Sequence, residues 1–191
     1  NRRIVIVGAN QPIEYIKGYF GRYRISISDL VILTMCEEPM TNKKKIKKIN
    51  RDLLEIKPEL SFANTVFRPK PLKDISNKKV FLAMTAPDEA IKTNIIPYLE
   101  KEKNCKVVGY SSNLSNRKLL IKDIEKNSKS SDLFLIEVKA AGIDVATKIA
   151  LKKDKKVVYM DNIPKFISGN INNLKDEILG LTQKAIKNFN S

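Results

Sequence analysis

The chain of 191 residues carries 36 Lys and Arg against 21 Asp and Glu, a formal net charge of +15, with no His, no Trp and two Cys. Without His there can be no Ser-His-Asp or Cys-His catalytic set, no His-ligated zinc and no imidazole pH switch, so any catalysis must use carboxylates, lysines, hydroxyls or backbone amides. The length and a 42% hydrophobic content suit one domain, or one and a half, with a real core.

No apolar run approaches the roughly 18 residues that cross a bilayer, and no signal-peptide pattern opens the chain. The expectation is a soluble, cytoplasmic protein with no membrane partner. Cys36 and Cys105 lack a CxxC partner and read as buried free thiols. The chain enters the apolar run IVIVG almost at once, which suggests a piece of a longer polypeptide.

In chain order, apolar runs rich in Val and Ile begin at Ile4, Asp29, Asn64, Lys79, Lys106, Asp132 and Lys156. Most are continuous, as expected for strands covered on both faces of a parallel sheet. Helical patterns fill residues 42–57, 90–103, 116–127, 142–153 and 172–188. This alternation predicts an α/β fold, a mostly parallel sheet flanked by helices. Prolines at 69 and 71 mark the best boundary, with a junction near Asn77 dividing the chain into 1–77 and 78–191.

Ligands of open parallel sheets bind at the carboxyl ends of strands, so the residues after each run are the candidates. After the first run, Gly8, Gly18 and Gly21 read as a Gly-rich loop leading to Arg22, Tyr23 and Arg24; paired arginines suit a phosphate ester, or are simply surface charges. After the second come Thr34, Glu37 and Glu38, and the two carboxylates could hold Mg²⁺ through water, orient a nucleophile, or cap the next helix. Arg68 and Lys70 follow the third as candidate phosphate contacts.

Thr85 leads into a helix start at Pro87, Asp88 and Glu89, which turn chemistry explains by itself. Glu137 and Lys139 follow the DLFLIEV run two residues apart, so on an extended segment they share a face and can pair, with Gly142 turning the chain into a helix. Asp161 and Asn162 read as turn formers. No GxxxxGK[ST] loop occurs, so this stretch alone has no cradle for a nucleoside triphosphate. The KKKIKK run at 43–48 reads as a solvated helix face, with phosphate or nucleic-acid contact as the alternative, while the spread of lysines over almost every helix argues against nucleic acid as the partner, since readers of nucleic acid usually place Arg and aromatics on one face.

GANQPIEYIKGYFGRYRISISDLVILTMCEEP, TVFRPKPL, VFLAMTAP, YLEKEKNCKVVGYSSNLSNRKLL, IEVKAAGIDVA and VVYMDNIP together closely resemble the C-terminal part of the archaeal cyclic 2,3-diphosphoglycerate synthetases. The resemblance covers essentially the whole chain, with one departure at Arg22, where proline is expected before the Tyr-Arg pair.

It implies an ATP-dependent, Mg²⁺-requiring ligase of a potassium-rich thermophile cytoplasm, closing an intramolecular phosphoanhydride in 2,3-diphosphoglycerate. It also implies that residues 1–77 are the end of a P-loop NTPase-like core, that 78–191 form a second α/β, Rossmann-like subdomain, and that the P-loop lies upstream in the same polypeptide. The isolated piece is then expected to be inactive, and a homodimer is an open possibility.

Strand-end position and chemistry select Arg24 and Lys139 as catalytic charge neutralisers. They select Arg22, Arg68 and Lys70 for substrate phosphate, Glu37 and Thr34 for the cofactor, and Glu37 for the metal. The competing reading is a non-catalytic basic α/β module that binds nucleic acid or a protein.

Overall fold

Five of the continuous apolar runs become strands with little or no exposed side chain on either face, and the helices between them, with the helix that follows the last strand, supply the covering layers. A computed structural model describes residues 1–139 and 141–189 and divides into two compact units, Asn1–Phe67 with Pro164–Ser191, and Arg68–Ile163.

In the first unit β1 (Ile4–Gly8), β2 (Leu30–Thr34) and β3 (Ser61–Pro71) pair in parallel in the order β1-β2-β3. Neighbouring residues of a strand face opposite layers, so both sets must be apolar where both faces are covered. Val7, Val31, Leu33 and Phe62 pack on one face with Ile16 and Ile25, and with Ile49 and Leu53 of α3 (Lys43–Ile56). Leu30 and Ile32 face the other layer and meet Leu181 of α8 (Leu174–Phe189). The start of α3 is set by Asn42, whose side chain accepts from the Lys45 amide at 2.8 Å, a helix N-cap.

The segment expected as a Gly-rich loop is helical: α1 (Glu14–Lys17) and α2 (Tyr19–Ser26) are separated only by the extended Gly18. Gly21 is there for packing, because a Cβ would collide with the carbonyl oxygens of Tyr15 and Ile16.

β7 (Lys156–Gly169) returns into this unit at its end. Phe62 donates its amide to Asn170 Oδ1 at 2.7 Å, while Asn64 Nδ2 donates to Ser168 Oγ at 2.9 Å, so this end of β7 runs antiparallel to β3.

In the second unit β4 (Lys79–Ala83), β5 (Lys106–Ser111), β6 (Leu133–Glu137) and the first part of β7 lie in the parallel order β7-β6-β4-β5. α4 (Asp88–Ala90) leads into a π-helical turn (Ile91–Ile95) and α5 (Ile96–Lys103), and Val80, Leu82, Leu133 and Leu135 pack on Ile91 and Ile95 of the turn and Leu99 of α5. Phe81 and Phe134 face the other layer with ring centroids 4.9 Å apart. There they meet α6 (Arg117–Asn127) and α7 (Ile143–Lys152), whose Ala146 and Ala150 let the helix approach the sheet closely.

The mostly parallel α/β class expected from the sequence is the observed one. The units divide after Phe67, however, and the junction expected near Asn77 falls inside the second unit. Pro69 and Pro71 continue β3 in extended conformation, and residues 164–191 group with the first unit.

Candidate functional site

Each unit presents its own set of polar groups at the carboxyl ends of its strands. In the first, the turn after β1 is held by Lys45, whose Nζ donates to the carbonyls of Asn10 at 3.1 Å and Gln11 at 2.9 Å. Thr34 ends β2 and is buried, its carbonyl accepting from Ala9 N at 2.9 Å. Glu37 lies in the following turn, where its carbonyl accepts from Thr41 N at 2.9 Å.

Arg22 and Arg24 sit on α2, two residues apart and so on different sides of the helix. Arg22 Nε donates to Lys17 O at 3.2 Å, and Arg24 donates to Phe20 O at 3.3 Å and Tyr15 O at 3.5 Å. Both guanidinium groups therefore cap helix carbonyls rather than form a common clamp, although both side chains are exposed.

In the second unit three neighbouring strand ends are tied together. Glu137 closes β6; its Oε2 accepts from Thr85 N and Thr85 Oγ1, both at 2.9 Å, beyond β4, and its Oε1 accepts from Asn162 Nδ2 on β7 at 2.5 Å. Lys139 does not pair with Glu137 as expected. It reaches Asp161 at 3.0 Å, because β6 ends at Glu137 and the alternation of an extended strand no longer governs Lys139.

The Lys139 bond is the chief cause holding the Asp161 carboxyl below its ordinary range, with Lys70 adding a weaker attraction. Two cations thus act on the Asp161 carboxylate, while the Glu137 carboxylate is bonded to the neighbouring Asn162. Arg68, two residues before Lys70 on β3, lies 5.7 Å over the Tyr98 ring, a cation–π distance. Lys70, Lys139 and Asp161 are brought together; Arg68 is displaced toward the aromatic ring.

Asp161, Asn162 and Thr85 join this polar cluster, although sequence reasoning explained the first two as turn formers and Thr85 as a strand end before a helix start. Their partners are distant in sequence, and no local signal marks them. A second polar cluster lies along β5, where a 480 Å³ cleft includes Asp88, Tyr110, Ser111, Asn113 and Asp123. Tyr110 donates to Asp88 at 2.6 Å, and Lys92 bonds the same carboxylate at 2.6 Å; these contacts, Lys92 first, lower the Asp88 pKa.

Among the described residues no three thiol or carboxylate groups gather to hold a metal ion. Both cysteines are buried, and burial pushes the Cys36 thiol up to about 11. No helix among the described residues is long and apolar enough to cross a membrane.

Residues 1–66 match the family model described as cyclic 2,3-diphosphoglycerate synthetase, P-loop domain, and residues 71–163 match that of the synthetase C-terminal domain. The chain is 49% identical over 190 residues to the cyclic 2,3-diphosphoglycerate synthetase of Methanothermobacter thermautotrophicus, covering 100% of this chain and 41% of that protein. It is 47% identical to the synthetase of Methanothermus fervidus, over 99% of this chain and 41% of that one. For that of Thermococcus sibiricus the figures are 42% identity, 94% and 40%. The chain thus spans about two fifths of the length of the curated relatives it matches.

Proposed function

Since the chain belongs to the cyclic 2,3-diphosphoglycerate synthetase family, we propose that it forms part of an ATP-dependent, Mg²⁺-requiring ligase that converts 2,3-diphosphoglycerate to its cyclic phosphoanhydride. The observation that carries this reading is sequence identity of 49% sustained over the whole chain. Both reactants are small metabolites, so the reading places the enzyme in the cytoplasm. The sequence contains no GxxxxGK[ST] loop, so the triphosphate cradle is assigned to another part of the same polypeptide.

The reaction balances in two steps. One phosphate oxygen of diphosphoglycerate attacks the γ-phosphorus of ATP, breaking its bond to the β-phosphate oxygen and releasing ADP. The neighbouring phosphate then attacks the inner phosphorus of the new diphosphate, forming the ring anhydride and expelling inorganic phosphate. Both steps press anions together, so the protein's task is charge neutralisation and in-line positioning.

In the second unit Lys139 and Lys70 are suited to the phosphates, with Asp161 holding the Lys139 ammonium in place and Arg68 lying over the Tyr98 ring. Glu137 fixes the strand ends around them. In the first unit Arg24 and Arg22 would exchange helix carbonyls for phosphate oxygens, and Thr34 and Glu37 are the residues assigned to the cofactor. Mg²⁺, when bound, supplies further neutralisation, and Glu37 is the residue that fits a hydrated ion.

Calorimetric titration of the full-length Lys139→Met enzyme tests the assignment. Binding of diphosphoglycerate or nucleotide should weaken on the order of tenfold or more, as for loss of a charge-assisted contact, with the melting temperature held. Unchanged affinity for both ligands with a large drop in melting temperature would make this segment structural.

A further inference from the structure

Glu137 spans a gap between two neighbouring strands from which the chain departs in opposite directions. β4 and β6 lie side by side, paired from Val80 with Leu133 to Ala83 with Ile136. After β4 the chain enters the layer of Ile91, Ile95 and Leu99 and goes on to β5. After β6 it enters α7 in the opposite layer and goes on to β7, on the other side of the sheet order. Such a divergence opens a crevice beyond the carboxyl ends of the two strands, the place where open α/β sheets take their ligands. Here the crevice is bridged by a side chain of the protein itself. The Glu137 carboxylate crosses from the last residue of β6 to Thr85, two residues beyond the end of β4.

The bonds that hold it are those of an oxyanion site. Three uncharged donors converge on the carboxylate: Thr85 N and Thr85 Oγ1 on one oxygen, each at 2.9 Å, and Asn162 Nδ2 on the other at 2.5 Å. A carboxylate and a phosphate present similar paired oxygens, so donors that hold one can hold the other. Two ammonium groups stand at the same edge, Lys139 at 3.0 Å from Asp161 and Lys70 acting on the same carboxylate. Solvent reaches the place, since Thr85 is exposed and the Lys139 side chain is 74% exposed.

Charge decides what the donors can hold. Lys70 and Lys139 are matched by Asp161 and Glu137, so a phosphate arriving beside a fixed Glu137 would meet a like charge with no surplus cation to offset it. If the carboxylate turns out of the crevice, the phosphate takes over its donors, and both lysines then face one carboxylate and the incoming anion.

We infer that Thr85 N, Thr85 Oγ1 and Asn162 Nδ2 form a cradle for one phosphate group, and that Glu137 is a built-in competitor which the phosphate displaces. The competitor keeps the donors bonded and the ends of β4, β6 and β7 joined, and it lowers the apparent affinity by the fraction of molecules in which the cradle is closed. The inference rests on the proposed function only for the identity of the ligand, a phosphate of 2,3-diphosphoglycerate; the cradle itself would accept any small phosphate.

The test uses the full-length protein carrying ¹³C-labelled threonine methyl groups, with the Thr85 signal assigned by its loss in Thr85→Ser. Titration with 2,3-diphosphoglycerate, and separately with inorganic pyrophosphate, gives a Kd at that methyl for the wild type, for Glu137→Gln and for Glu125→Gln, an exposed charge on α6. Glu137→Gln should tighten binding roughly tenfold or more, because a neutral amide no longer repels the phosphate, while Glu125→Gln leaves it unchanged. Unchanged or weaker binding of both probes by Glu137→Gln, equal tightening by Glu125→Gln, or a Thr85 signal that neither probe moves would each overturn the inference. Tightened pyrophosphate binding with no response to 2,3-diphosphoglycerate would support the cradle and count against the proposed substrate instead. A crystal structure of the full-length wild type with 2,3-diphosphoglycerate decides the matter without any variant. A phosphate oxygen bonded to Thr85 N with Glu137 turned away is the expected result, and Glu137 still bonded to Thr85 beside bound substrate would overturn it.

Discussion

Removal of the Glu137 carboxylate should loosen the second unit in a way that depends on the replacement. Glu137 accepts three hydrogen bonds, two from Thr85 and one from Asn162, and so joins the ends of β4, β6 and β7. Bonds to a charged group contribute about 1.5 to 3 kcal/mol when dry, but Thr85 is exposed and water can replace part of the loss. At about 1 kcal/mol per bond, Glu137→Ala should cost about 3 kcal/mol.

Glu137→Gln should cost only about 1 kcal/mol, through loss of charge. Its amide oxygen can keep both Thr85 bonds, leaving its NH₂ toward Asn162. Asn162 Oδ1 is buried without a hydrogen-bond partner, so rotating that side-chain amide turns an acceptor to the new donor. Urea unfolding of both full-length variants, followed by far-UV circular dichroism, measures the two costs. Equal destabilisation by Gln and Ala, or an Ala cost below about 0.5 kcal/mol, would refute the three-bond tie.

Other outcomes follow from the same geometry. Asp161 is held low chiefly by Lys139, so Lys139→Met should raise its titration midpoint, read from the carboxyl carbon by NMR; no change would deny the pairing. The sign fixes the stability effect: a lowered folded-state pKa stabilises above the unfolded value, and that contribution is lost as pH falls through the folded one, so the variant should lose less on acidification. Cys36, buried with its pKa near 11, should resist alkylation at pH ~8 in the native protein and react after unfolding, as peptide mass spectrometry would show. Arg24→Ala should lower kcat/KM by on the order of tenfold to a thousandfold, while Lys101→Ala on α5 leaves it unchanged; equal losses would indicate general electrostatics.

The strands and the longer helices were legible because their patterns are local: β2 reads LVILT with every residue buried, and α3 repeats its apolar positions at helical spacing behind Asn42. α1 and α2 were hidden because Gly18 and Gly21 are ordinary turn signals. Only the packed structure shows that Gly21 makes room for the carbonyls of Tyr15 and Ile16. Strand-end position drew attention to Glu137 and Lys139, but their partners could not be read. Thr85, Asp161 and Asn162 carry turn chemistry that explains them locally, and only the β7-β6-β4 order brings them to Glu137 and Lys139. The arginines of α2 had the right chemistry for phosphate, but their helical spacing separates them.

The central claim is that this polypeptide, in its full length, closes the anhydride ring. Phosphorus NMR of the full-length enzyme with ATP, Mg²⁺ and 2,3-diphosphoglycerate tests it most directly. The two phosphomonoester signals of the substrate should fade together as an upfield signal of a cyclic diphosphate grows, with ADP and inorganic phosphate each appearing one for one with the product. ATP hydrolysis without the new anhydride signal, or ring closure without ATP, would contradict the account.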